Sequence, residues 1–307
     1  MIWIILILVA VIVTPVLIER NRSSMNDATR GGAPGQFVEL SQGVTHFAWF
    51  GPHTGPVAVC IHGLTTPSFV WRGVTRGLAL MGYRTLVYDL YGRGYSDRPS
   101  GIQDQQFFLK QLEELLESEG VTGSITLFGY SMGGAIATCF AAVAPERVDR
   151  LVLLAPAGMG LTSNKLFDFI AKAPLVGDWL MLALFPSFFR KGIKAESKQA
   201  SSVPQVYEQQ AEQLDFKRYV PAVLASRRGI LTDVLRDEHR GIQAAQIPVL
   251  AIWGQEDSVI PPSAIGTLAE WNRTAEHEVI PDAGHGLPYT HANQVIELIR
   301  NHLLATT

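Results

Sequence analysis

Cysteine is nearly absent from this chain. Its 307 residues include two, Cys60 and Cys139, each inside an apolar run, Val57–Ile61 and Ala135–Ala142. Two widely separated cysteines exclude a disulfide framework. No Cys/His cluster has the spacing of zinc ligands, so both read as buried free thiols. Charge is scarce too, at 17% of residues with a net charge of −3, where soluble domains carry about a quarter. The sequence has no basic stripe of the kind a nucleic-acid surface needs. It has no block of like charges long enough for an interaction tail. Internal repeats, low-complexity tracts and the G-x-x-x-x-G-K-[ST] phosphate loop are all missing.

What is abundant is apolar: 47% of residues are hydrophobic, ample for one large core. The first apolar run, residues 2–18 (IWIILILVAVIVTPVLI), carries no charge. At 1.5 Å per residue it reaches the short end of a membrane span. A cleaved signal peptide would begin with basic residues and end in a small-residue site, and neither is found here. A core helix would keep a polar face, which this segment lacks. It is therefore expected to be an uncleaved membrane anchor. Arg20, Arg22 and Arg30 follow it, so the positive-inside tendency places the following domain on the cytoplasmic side. Residues 19–36, rich in Gly, Ser, Asn and Arg, read as a tether.

Two short β-like stretches follow, Phe37–Leu40 and Val44–Phe50, divided by a Ser41-Gln42-Gly43 turn. Further strands are expected at Val57–Ile61, Thr85–Tyr88, Ile125–Phe128, Leu151–Leu154, Val249–Trp253 and His277–Ile280. Several are apolar almost throughout, as strands buried on both faces must be. They alternate with helix-length segments, which predicts an α/β fold with a mostly parallel sheet flanked by helices. Residues 159–246 break the alternation with helical segments only. They are expected to form a helical cap above the strand C-termini, where α/β proteins bind ligands. The core then comprises residues 37–158 and 247–307.

The strongest chemical motif is Gly129-Tyr130-Ser131-Met132-Gly133. It follows an apolar strand and opens a helix of small residues, the setting of a strand-to-helix elbow that exposes a serine nucleophile. A serine needs a base, and the base needs a third group to hold it. Asp257 lies just past the strand Val249–Trp253, with Glu256 as the neighbouring alternative. His285 lies in the Gly-flanked loop after His277–Ile280. The order serine, acid, histidine is that of the elbow's usual partners. Two backbone N–H groups must face a developing oxyanion. Met132 follows the serine, and Leu64 lies in the Cys60-Ile61-His62-Gly63-Leu64 loop after an early strand. His62 reads as a structural residue of that loop. The turn Asp89–Asp97 (DLYGRGYSD) reads as structural and pocket-shaping, because its glycines lack the spacing of a nucleotide loop.

Taken together, HGLTTPSFVW, YDLYGRGYSDRP, GYSMGGAIA, WGQEDSVIPP and PDAGHG, in that order, resemble the α/β-hydrolase superfamily in its serine-nucleophile branch. The resemblance covers about residues 37–304 and implies Ser131, Asp257 and His285 as a catalytic triad. It implies no metal and no organic cofactor. The span, the apolar cap and the G-x-S-M-G-G elbow are similar to membrane-anchored monoacylglycerol-lipase-like and phospholipase-like esterases. The expected function is hydrolysis of small-molecule or lipid-like carboxylic esters at a membrane. Carbon–carbon hydrolases of ring-cleavage products share the plan, but usually carry Asn before the nucleophile and Trp after the histidine, where this chain has Tyr130 and Gly286. A third reading, an inactive binding protein on the same fold, would usually lack a triad residue.

Overall fold

The computed structural model describes residues 2–305 except Leu161 and Ser163. Those two, within the expected cap, and residues 306–307, within the expected core, lie outside the described residues. Eight strands form one sheet: β1 (Gln36–Leu40), β2 (Gly43–Phe50), β3 (Val57–Ile61), β4 (Arg84–Tyr88), β5 (Ile125–Tyr130), β6 (Val148–Leu154), β7 (Val249–Gly254) and β8 (Glu276–Ile280). Their order is β1-β2-β4-β3-β5-β6-β7-β8. The hairpin β1–β2 joins β4 antiparallel, and every other pairing is parallel. All eight expected strands are present, with ends extended by up to three residues.

The helices are α1 (Ile2–Arg20), α2 (Asp27–Arg30), α3 (Arg72–Leu80), α4 (Gln105–Ser118), α5 (Met132–Val143), α6 (Lys165–Lys172), α7 (Val176–Glu196), α8 (Val206–Glu212), α9 (Tyr219–Arg228), α10 (Arg236–Ala244), α11 (Ser263–Trp271), α12 (Leu287–Thr290) and α13 (Ala292–Ala305). The central strands β5 and β7 are buried along their whole length, as helices on both faces require. The edge strand β8 is mostly exposed and carries Glu276, His277 and Glu278, charges and polar groups that discourage edge pairing. Helix α5 begins at the end of β5 and is almost wholly buried, because Gly133, Gly134, Ala135 and Ala137 let it lie close under the sheet. Capping fixes other helix starts: Asp104 accepts from Phe107 N–H at 3.0 Å, and Asn164 from Leu166 and Phe167 N–H.

Helices α6–α10 lie between β6 and β7 in sequence. They hold their own small core of Ile170, Met181, Phe185, Leu214, Tyr219, Val220, Val223 and Leu224. The apolar run of α7 divides its duties. Phe185 stacks on Phe189 (ring centroids 5.3 Å apart) inside that core, while Trp179 Nε1 donates to Ile12 O of α1 at 2.8 Å. Helix α1 is long and apolar enough to cross a membrane, and its apolar side chains are exposed.

Residues 19–36 differ from the expected tether. They are laid down on the domain. Glu19 is buried, pairs with Arg22 at 2.5 Å and accepts from Arg218 N–H at 2.5 Å. Ser23 bridges to Phe216, with N–H···O bonds to Asp215 and from Lys217. Asn26 and Thr29 form a capping box on α2, and buried Arg30 holds Asp97 and Tyr95 O. The physical reason is that each polar side chain and backbone group finds a fixed partner, which offsets the entropy that composition alone leaves unopposed.

Candidate active site

Ser131 stands at the junction of β5 and α5 with φ 54° and ψ −119°. That is left-handed space which a non-glycine residue occupies only when its surroundings enforce it. The enforcement is visible. Ser131 N–H donates to Leu154 O of β6 at 3.0 Å, and Ser131 O accepts from Gly134 and Ala157 N–H. Behind the turn, Gly133 lies so close to the carbonyls of Ile61 and His62 that a Cβ there would collide with both. Ser131 is 8% exposed.

Asp257 and His285 leave the C-terminal ends of β7 and β8. His285 Nε2 lies 2.9 Å from Ser131 Oγ, and His285 Nδ1 lies 2.8 Å from Asp257 Oδ2. The other carboxylate oxygen accepts N–H bonds from Val259 (2.7 Å) and Ile260 (2.9 Å). Burial opposes the Asp257 charge, but these bonds and His285 outweigh it and hold the carboxyl below its ordinary range. An anion so fixed keeps the Nδ1–H tautomer and leaves Nε2 to accept a proton from the serine. Glu256, the alternative acid, is exposed on the same loop.

The loop after β3 passes over the serine: a Cβ built on Gly63 would lie 3.2 Å from Ser131 Cβ. Among the described residues, neither Leu64 N–H nor Met132 N–H has a hydrogen-bond acceptor. His62 holds this loop. Its Nδ1–H donates to Gly63 O at 2.7 Å and its Nε2 accepts from Leu90 N–H at 2.9 Å. Burial lowers its pKa to about 4, so it stays neutral and both nitrogens are committed. Arg93, from the turn after β4, ties the same loop to the cap. Its Nε donates to Leu64 O at 2.9 Å, and its Nη2 to Ser226 Oγ of α9 at 2.8 Å.

Two side-chain contacts near His285 join groups that no spacing in the sequence links. Tyr289 donates to Glu196 Oε1 at 2.6 Å, joining α12 to the end of α7. Tyr130 lies with its ring 5.2 Å from that of His285. A side chain on Gly286 would collide with Glu196 and the Tyr289 ring, so the cap fills the place beside the histidine. Only the tertiary fold brings Glu196 here, across a gap of 93 residues from Tyr289.

On the far side of the oxyanion-type loop, His46 and Asp89 form a buried pair, with Nδ1 and Oδ2 2.7 Å apart. The second ring nitrogen faces Pro34 O. Both nitrogens face acceptors, so the ring is held as a cation. Burial lowers its pKa, but Asp89 and the Pro34 carbonyl more than compensate, leaving it above the ordinary 6.5. Asp89 is depressed from 3.8: burial opposes its charge, and His46 and the Ser68 N–H outweigh that. The carboxylate's contribution to stability is present above about pH 4 and lost as pH falls. The imidazolium's contribution is full below 6.5 and lost as pH rises through its raised value. The melting temperature is expected to drop as pH is raised from about 6.5 to about 9, and to drop less in His46→Gln. Equal pH slopes in the two proteins, read by differential scanning fluorimetry, would contradict the charged pair.

This sheet, elbow and cap arrangement is that of an α/β hydrolase. The family model for the alpha/beta hydrolase fold matches residues 56–292, and the chain belongs to that family.

The chain is 29% identical over 253 residues to the pimeloyl-[acyl-carrier protein] methyl ester esterase of Aeromonas salmonicida, covering 80% of this chain and 94% of the relative. It is 28% identical over 235 residues to the 2-hydroxymuconate semialdehyde hydrolase of Pseudomonas sp. (strain CF600), covering 76% of this chain and 80% of the relative. Among solved structures, it is similar to a membrane phospholipase A described as a bacterial virulence factor, with TM-score 0.70 and 21% identity. That likeness covers 99% of this chain and 96% of the other, and so extends over α1.

Proposed function

We propose that this protein is a membrane-anchored serine hydrolase that cleaves carboxylic esters with apolar acyl groups. The observation that carries the reading is the unbroken chain Ser131 Oγ–His285–Asp257 beside two backbone N–H groups without acceptors among the described residues. His285 takes the Ser131 proton as the hydroxyl attacks the ester carbonyl. Leu64 and Met132 N–H stabilise the tetrahedral oxyanion. The alcohol leaves with the proton from His285, and water activated by the same ring then releases the acid. Asp257 fixes the tautomer and balances the imidazolium charge.

Helix α1 acts in this reading as a retained anchor with the catalytic domain on the cytoplasmic side. Its contacts support retention: Trp179 on Ile12 O, and Glu19 on Arg218, join the span to α7 and α9. An apolar cap held against a membrane span suits a lipid-like ester. The carbon–carbon hydrolase reading has a named relative, but the position where such enzymes resemble one another by a tryptophan is Gly286, and Glu196 and Tyr289 fill that space. That favours esters.

The test is turnover of p-nitrophenyl esters, from acetate to palmitate, by the full chain in detergent, beside a 2-hydroxy-6-oxo-dienoate. Ester turnover with an optimum at medium or long chains is expected. Turnover of the dienoate with none of any ester would replace this reading by the carbon–carbon one.

A further inference from the structure

A cavity of about 640 Å³ lies behind the oxyanion-type loop, between the β1–β2 hairpin, α3 and the end of α8. Neither Ser131 nor His285 lines it. Its volume falls within the range of small-molecule sites. Trp49, Phe69, Trp71 and Phe216 give part of its lining an aromatic wall. The Trp71 indole N–H is fully buried and has no acceptor among the described residues.

The charge on this wall is unevenly spent. His46 and Asp89 neutralise each other. Arg72 and Arg76 stand one turn apart on one face of α3, and neither forms an ion pair among the described residues. Glu212, from α8, is the only other carboxylate in the lining. The balance is two unpaired cations against one anion. Guanidinium groups are matched to planar oxyanions, which they bind through paired N–H donors.

We infer that this cavity is a binding site, separate from the catalytic serine, for an anionic amphiphile: a long-chain carboxylate whose tail lies on the aromatic wall and whose head meets Arg72 and Arg76. The inference does not depend on the reaction at Ser131. A neutral or cationic amphiphile of the same tail lacks the complement to the two arginines and binds less well.

The test is photolabelling of the full chain in detergent with a diazirine-bearing long-chain fatty acid, followed by peptide mapping. Labels are expected on residues 67–76 and 209–216. Labelling there should fall about tenfold in Arg72→Ala/Arg76→Ala. It should rise in Glu212→Gln, which removes the opposing charge, and fall in Ala48→Phe, which fills the cavity. The diazirine alcohol of equal length should label these peptides weakly. Labels confined to α1 or to peptides bearing Ser131 and His285 would overturn the proposal. So would equal labelling of the double arginine variant or by the alcohol. Because Ser131→Ala can serve as the labelled protein throughout, failure here and failure of ester turnover are separate results.

Discussion

Replacing Ser131 with alanine is expected to lower kcat/KM for the best p-nitrophenyl ester by a factor of roughly 10³ to 10⁶. In the proposed reaction the hydroxyl is the group that forms the acyl-enzyme, and His285 Nε2 lies 2.9 Å from its Oγ. The loss should appear in kcat, because the substituted residue makes its bond only on the reaction path. Labelling by a fluorophosphonate should vanish with it. Asp257→Asn is the companion variant. It keeps the size of the side chain but lets the ring adopt the wrong tautomer, and a loss of about 10⁴ is expected. Its fold should survive, since an amide oxygen can still accept from Val259 and Ile260. Retention of more than a tenth of the wild-type rate in Ser131→Ala would remove Ser131 from the chemistry.

Much of this site is legible in the sequence because its parts are local. Ser131 announces itself through a five-residue turn between a strand and a helix. Asp257 and His285 each follow an apolar strand, and a parallel sheet brings strand C-termini to one edge. The strands themselves are legible because burial on both faces requires continuous apolar runs, as in β3 and β7. The groups that escaped are joined by distance. His46 pairs with Asp89 across 43 residues, and Tyr289 with Glu196 across 93. No spacing rule links such residues. The segment 19–36 misled for a different reason: Asn, Ser, Arg and Gly compose a flexible tether and a docked strap alike. The difference lies in partners such as Asp97 and Arg218, which composition does not contain.

Arg93 leads to the second large effect. It is fully buried, and all five of its N–H donors are directed to acceptors without a carboxylate among them. Nε serves Leu64 O; Nη1 serves Tyr91 O (2.8 Å) and Gln103 Oε1 (2.6 Å); Nη2 serves Ser226 Oγ and, at 3.3 Å, Ala222 O. Burial lowers its pKa to about 9, which still leaves it cationic at neutral pH. One side chain thus fixes the loop carrying Leu64 to helix α9 of the cap. Lysine offers three donors on a flexible stem and cannot reproduce this planar fork. Arg93→Lys is expected to cost about 3 kcal/mol of stability, since several buried acceptors lose their donor at about 1–3 kcal/mol each and some regain water or the ammonium. It should also lower kcat. Complete loss of an oxyanion donor costs 10²–10³, and a loosened donor should cost about tenfold to a hundredfold. The measurement is the urea midpoint together with kcat and KM for a short ester, with active serine counted by fluorophosphonate titration. A fall in kcat per titrated serine, with KM little changed, places Arg93 as the positioning residue of the Leu64 donor. A rise in KM with kcat intact would instead confine it to holding the cap.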